Sequence, residues 1–258
     1  MTQSIDAPRV ESPDRGAVPA VPLLFVHMPK AAGTALQRVI NQVYFGCNRR
    51  NMPGSPAAAA EFRALLESER HAIDVLCGHL HYPLAGLLRQ PCRVLTMLRE
   101  PVDRFVSLYS YILSTPEHRL HERARERTLE EFVGHRGAPE GDNDQVRRLC
   151  SVGDATGPVG SVTREMLESA KLGLADSRTV FGLAERFDDS MRMIRRELSW
   201  PNVPYARVNV TPNRPCVLEL TLAAIERVRD ANHLDIELYE FAVELFGRRL
   251  RDATGTRQ

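Results

Sequence analysis

Two basic residues stand where an anion would be held. Lys30 lies in "HMPKAAGTAL", between the apolar run Val21–Met28 and a helix-spaced pattern that starts at Thr34. Ala31, Ala32 and Gly33 leave room for a ligand to approach the backbone, Thr34 offers a hydroxyl, and Ala35 begins the helix's apolar face. Amides at a helix N-terminus carry partial positive charge, so each part suits a phosphate. The order is not that of GxxxxGK[ST], in which the lysine follows the last glycine. A plain strand-to-helix turn with a solvated lysine would use the same residues. Lysine occurs only at Lys30 and Lys171, which sets Lys30 apart from an arginine-rich background. In "VLTMLREPVDRFVSLYSYI", Arg99 ends another apolar run and Ser107 follows on the next helix. A guanidinium gives a phosphate two parallel hydrogen bonds, and the serine reaches the same group. The bland alternatives are a local ion pair with Glu100 or Asp103 and an ordinary helix-surface serine.

A histidine near neutral pKa is the natural general base for an acceptor hydroxyl. "LCGHLHYPL" supplies His79 and His81 just beyond a third apolar run. If the segment is extended, both share one face. Two histidines also suggest a metal, but no third ligand follows at suitable spacing. His27 reads as a core or loop-shaping residue, and Tyr82 and Tyr111 as packing or as lining for an acceptor.

These residues need strands and helices to bring them together. Val21–Met28, Ile73–Cys77, Arg93–Leu98 and Thr179–Leu183 read as short buried strands. Asn51–Ala60 reads as a linker into a helix near Glu61–Arg70, and the last helix as Thr221–Phe246. "YARVNVTPNRP" reads as a short strand running into a loop. Strands alternating with helices predict an α/β domain, a mainly parallel central sheet flanked by helices in three layers. The domain is expected over 21–250, with a polar, proline-rich mobile tail over 1–20 and a flexible tail over 251–258. A chain of 258 residues with 43% hydrophobic residues supports one sizeable core. A net charge of +1 argues against a nucleic-acid partner. No apolar run reaches the ~18 residues of a membrane span. Five scattered cysteines without a CxxC pair indicate neither a zinc site nor a disulfide framework, and a reducing, cytoplasmic setting is expected.

Taken together, "PKAAGTAL" and "LREPVDRFVSLY" resemble the sulfotransferases that use 3′-phosphoadenosine 5′-phosphosulfate (PAPS), most of all the carbohydrate 2-O-sulfotransferase-like branch. "VFGLAERFDDSM" and "VNVTPNRP" resemble later segments of the same family. The resemblance implies a P-loop NTPase-like sulfotransferase architecture and a sulfuryl donor that leaves as adenosine 3′,5′-bisphosphate. It implies Lys30 to Ala35 as the phosphosulfate loop, Arg99 and Ser107 as the 3′-phosphate clamp, and Asn213 and Arg214 as further donor contacts. It maps the catalytic base to His79, with His81 as the neighbouring alternative, and makes Lys30 catalytic without a metal. The acceptor would be a glycan or small molecule bearing a hydroxyl or amine. "DNDQVRRLC" would border it. A kinase-like phosphoryl transferase and a non-catalytic nucleotide-binding module are the competing readings; the oligomeric state is not legible.

Overall fold

The computed structural model describes residues 21–133, 139–205 and 220–254. Its five strands are β1 (Leu23–Val26), β2 (Arg49–Met52), β3 (Val75–Gly78), β4 (Arg93–Leu98) and β5 (Thr179–Leu183). They form one sheet in the order β2-β3-β1-β4-β5, and every pairing is parallel. β1, β4 and β5 are buried almost throughout, as apolar runs covered on both faces should be. β2 went unforeseen within and beside the expected linker. It is a mostly exposed edge strand, "RRNM", with no apolar run to betray it. Charged residues on such an edge discourage pairing with other chains.

The helices are α1 (Gly33–Val43), α2 (Pro56–Ala64), α3 (Glu67–His71), α4 (Pro101–Leu113), α5 (His121–Arg125), α6 (Leu129–Phe132), α7 (Asp144–Leu149), α8 (Arg164–Ala175), α9 (Phe187–Glu197), α10 (Leu222–Ala231) and α11 (His233–Thr254). The helix expected near Glu61–Arg70 is two pieces, α2 and α3. The hydroxyl of Ser55 accepts from the Ala58 amide at 3.2 Å and Pro56 follows at the first helical position, so α2 starts before the expected point. The expected last helix also divides, at Asn232. That side chain is fully buried, donates to the Gly141 carbonyl at 3.0 Å and accepts from the Asn143 amide at 3.2 Å. These bonds to another part of the chain interrupt the helix there. The expected strand and loop beyond Tyr205 lie outside the described residues.

Buried residues of the sheet, α1, α8, α9 and α11 form the main core; a smaller cluster lies between α4, α5, α6 and α10. No helix among the described residues is long and apolar enough to cross a membrane. The strand order has a direct consequence for ligand binding. From β1 the chain runs through α1 to the β2 edge, whereas from β4 it runs through α4 toward β5. Neighbouring strands whose connections leave in opposite directions open a crevice at their carboxyl ends. Lys30 follows one of these strands and Arg99 the other.

Candidate functional site

A cavity of about 240 Å³ occupies this crevice. His27, Lys30, Ala32, Gly33, Thr34, Arg99 and Ser107 line it, with Asp103, Ala184 and Glu185. The two motifs singled out in the sequence therefore meet around one space. Ala31 and Ala35 do not line it; their side chains are in the core, leaving only their backbone to serve the loop. Asn213 and Arg214 lie outside the described residues.

Within the loop, Lys30 has φ 63° and Ala32 has φ 60°, while Ala31 between them keeps a negative φ. Alternation of this kind turns successive amides toward one side, forming an anion-binding concavity. The Gly33 and Thr34 amides at the start of α1 add donors, whereas those of Ala31 and Ala35 are given to the Met28 and Ala32 carbonyls at 3.4 and 3.2 Å. A left-handed conformation costs a residue with a side chain about 1–2 kcal/mol and persists only where its surroundings hold it. Here the Lys30 carbonyl accepts from Arg99 Nη1 at 2.8 Å, tying the loop to the neighbouring strand end.

Gly33 is required by a close approach. A Cβ there would lie 2.2 Å from His27 Cδ2 and 2.4 Å from Nε2. The His27 ring has little freedom to withdraw, with Phe25 stacked at 5.4 Å and the His79 ring at 4.7 Å. Gly33→Ala gains at most about 1 kcal/mol of helix propensity, while overpacking costs about 1–3 kcal/mol. The variant is expected to melt lower than the wild type, with His27→Ala in the same chain restoring part of the loss. Thermal scans of the two single variants and the double variant check this; strictly additive effects would show that the two residues do not clash.

Arg99 takes the local ion pair and still faces the cavity. Its Nε donates to Asp103 Oδ2 at 2.8 Å, and Nη2 donates to the same oxygen. Three of the five N–H groups of a guanidinium are then committed to Asp103 and Lys30, leaving two for an anion. The cavity carboxylates are also engaged. Asp103 is neutralised by Arg99, and Glu185 accepts from the Glu100 amide at 2.9 Å and from the Tyr239 hydroxyl at 2.7 Å. The lining therefore offers donors at two places, on the loop and at Arg99 beside the buried Ser107. Sequence patterns gave no reason to select Glu185; its only signal is its position just past a strand end.

The Lys30 ammonium rests over the Tyr111 ring, 4.4 Å from its centroid, one helical turn beyond Ser107 on α4. Tyr111 thus belongs beside the loop. Tyr82 does not: it lines a separate depression with Gly173, Asp176 and Arg178, at the amino end of β5. Among the described residues, no cluster of three or more histidine, cysteine or acidic side chains is arranged to hold a metal ion. α7, cut from "DNDQVRRLC", is buried along its whole length.

His79 Nδ1 lies 2.8 Å from the carbonyl oxygen of His27. A carbonyl only accepts, so Nδ1 carries the proton and Nε2 is left as the basic nitrogen. His79 stands outside the cavity lining, its ring 4.7 Å from that of His27, which lines it. Burial, then the Arg148 charge, lowers its pKa, opposed by the His27 carbonyl and the carboxylates of Asp144 and Glu140. Burial, then His79 and Arg148, brings His27 down to about 4, and burial, then Arg148, brings His81 to about 4.

These shifts have a sign in stability. An imidazole with a folded pKa below its unfolded value binds a proton more readily in the unfolded chain, so acid favours unfolding. For His27 and His81 that loss runs from pH 6.5 down to about 4, and His79 acts in the same direction. Asp235, raised by burial to about 6, opposes them between about 6 and 3.8, because its folded carboxyl takes the proton first. The imidazoles outnumber it, so the melting temperature is expected to fall as pH drops through this window. A flat or rising profile would show that the rings are open to solvent.

No family model matches the sequence. Galactose-3-O-sulfotransferase 3 of Bos taurus is 27% identical over 281 residues, which cover 95% of this chain and 61% of that protein. The proteins of the same name from Mus musculus and Homo sapiens are also 27% identical over 95% of the chain, and 60% of each is covered. The chain thus spans about three fifths of the length of these relatives. Their names give a 3-O position where the motif resemblance pointed to a 2-O branch. Among solved structures, a mouse sulfotransferase complexed with PAP matches with a TM-score of 0.39 at 16% identity, covering 82% of this chain and 64% of that one.

Proposed function

We propose that this chain is a sulfotransferase, as its similarity to the galactose-3-O-sulfotransferases supports, and that it transfers a sulfuryl group from PAPS to a hydroxyl of a glycan. The observation that carries the reading is the single crevice in which the Lys30 loop and the Arg99–Ser107 pair face each other. A nucleotide with phosphates at both the 5′ and 3′ positions supplies two anions to such a site. The loop amides and Thr34 hold the 5′ end, Arg99 and Ser107 hold the 3′-phosphate, and Lys30 offsets charge on the oxygen that leaves. Positive groups fixed in advance at developing charge are the main source of rate in group transfer of this kind. His79 Nε2 takes the proton from the acceptor hydroxyl. Its fixed tautomer and lowered pKa support this role, since it is neutral and basic at neutral pH.

Galactose-terminated oligosaccharides are the first acceptors to test, given the relatives' names. The protein is incubated with radiolabelled PAPS and a glycan panel, with and without magnesium, and in parallel with labelled ATP. Label transferred from PAPS without magnesium supports the reading. Bisphosphate binding with no transfer to any acceptor would make the chain a binding module, and magnesium-dependent transfer from ATP would make it a kinase.

A further inference from the structure

The sheet ladder ends at Leu98, paired with Leu183, so the next residue, Arg99, has no strand beside it. One side chain takes the strand's place. Gln145 Nε2 donates to the Arg99 carbonyl at 3.0 Å, and Gln145 Oε1 accepts from the Arg99 amide at 3.1 Å. Gln145 is fully buried and absent from the cavity lining, so it grips the backbone of the clamp without reaching the ligand.

Gln145 is itself held from two directions. The amides of Gln145 and Val146 donate to the Asp235 carboxylate at 3.1 and 2.8 Å. In return, Asn143 Oδ1 accepts from the amides of Leu234 and Asp235 at 2.9 and 3.0 Å. α7 and α11 therefore cap each other. Arg104, fully buried on α4 three residues before Ser107, lies 3.5 Å from Asp144 and 3.7 Å from Asp235. The helix that carries Ser107 and the amide that grips Arg99 are thus fastened into one buried network.

We infer that Gln145 is the positioning residue of the Arg99–Ser107 clamp, and that it sets the preference for a nucleotide carrying a 3′-phosphate over one without. This rests on the donor reading above. Removing the amide frees the Arg99 backbone to shift, and the guanidinium moves with it. The two hydrogen bonds to the 3′-phosphate suffer directly, while the 5′ end feels only a loosened bond from Arg99 Nη1 to the Lys30 carbonyl.

The test compares adenosine 3′,5′-bisphosphate with adenosine 5′-monophosphate by calorimetry, in wild type and in Gln145→Met, which keeps the length but not the amide. The expected result is a bisphosphate preference reduced on the order of tenfold, the worth of about one charge-assisted hydrogen bond, with monophosphate affinity little changed. An equal loss for both nucleotides, or an unchanged preference, overturns the inference. A wild type with no bisphosphate preference overturns the donor reading itself, and this inference with it. Should the variant not fold, hydrogen exchange of the wild-type Arg99 amide decides. Bisphosphate but not monophosphate should slow it, and equal protection by both overturns the inference.

Discussion

His79→Ala is expected to lower the sulfuryl-transfer rate on the order of 10²–10⁴-fold, the usual contribution of a general base, and to leave bisphosphate binding near the wild-type value. The ring lies outside the donor cavity, so its loss removes no nucleotide contact. The His27 carbonyl fixes the proton on Nδ1, so no tautomeric change is needed before Nε2 accepts one. Burial sets the pH dependence: the wild-type rate should rise through an apparent pKa below the ordinary imidazole value of 6.5, and that limb should vanish in the variant. His81→Ala should be milder, since among the described residues the sheet-end carbonyl orients His79 and not its neighbour. Near-normal turnover in His79→Ala with none in His81→Ala would move the base two residues along the chain. Rates on a working acceptor, measured from about pH 4 to 8, separate these outcomes.

What the sequence could show follows from the range of the forces involved. β4 and β5 were legible to the residue because a strand buried on both faces is a bare apolar run. The turn from β1 into α1 was legible because an apolar run gives way at Pro29-Lys30 to small residues and then to a helix-spaced pattern. β2 was hidden because an exposed edge strand has no apolar signature; partners elsewhere in the sheet make it a strand. The grip of Gln145 on Arg99 was hidden for the same reason, since 46 residues separate the two and a glutamine carries no local pattern. His27 reads as a core or loop-shaping residue, and it packs against Gly33, but its exposure to the cavity depends on the turn of the loop after β1. Tyr82 and Tyr111 looked alike in sequence and lie at different sites, because one opens a 3-10 turn after β3 and the other rides a helix beside the loop.

Lys30→Ala and Arg99→Ala should fail in different ways. Lys30 Nζ is over the Tyr111 ring, an arrangement worth about 0.5–1 kcal/mol at an exposed site. In the proposed mechanism the ammonium acts on the oxygen that gains charge during transfer. An interaction stronger in the transition state than in the ground state appears in turnover, not in affinity. Lys30→Ala should therefore lower kcat on the order of 10²-fold or more, comparable to losing one donor to a developing oxyanion, while bisphosphate affinity changes little. In the proposed donor mode Arg99 holds a phosphate whose charge is the same before and after transfer, so its loss falls on donor affinity. The fall should be steep, because Arg99→Ala removes the guanidinium beside the Asp103 carboxylate in the cavity and releases the Lys30 carbonyl from its 2.8 Å bond. Arg99→Ala/Asp103→Asn should recover part of the bisphosphate affinity, since it removes the repelling charge without restoring the clamp. Calorimetric Kd values and steady-state kcat for the three variants distinguish the roles. If Lys30→Ala weakens binding and Arg99→Ala spares it, the two phosphate positions in the crevice are reversed.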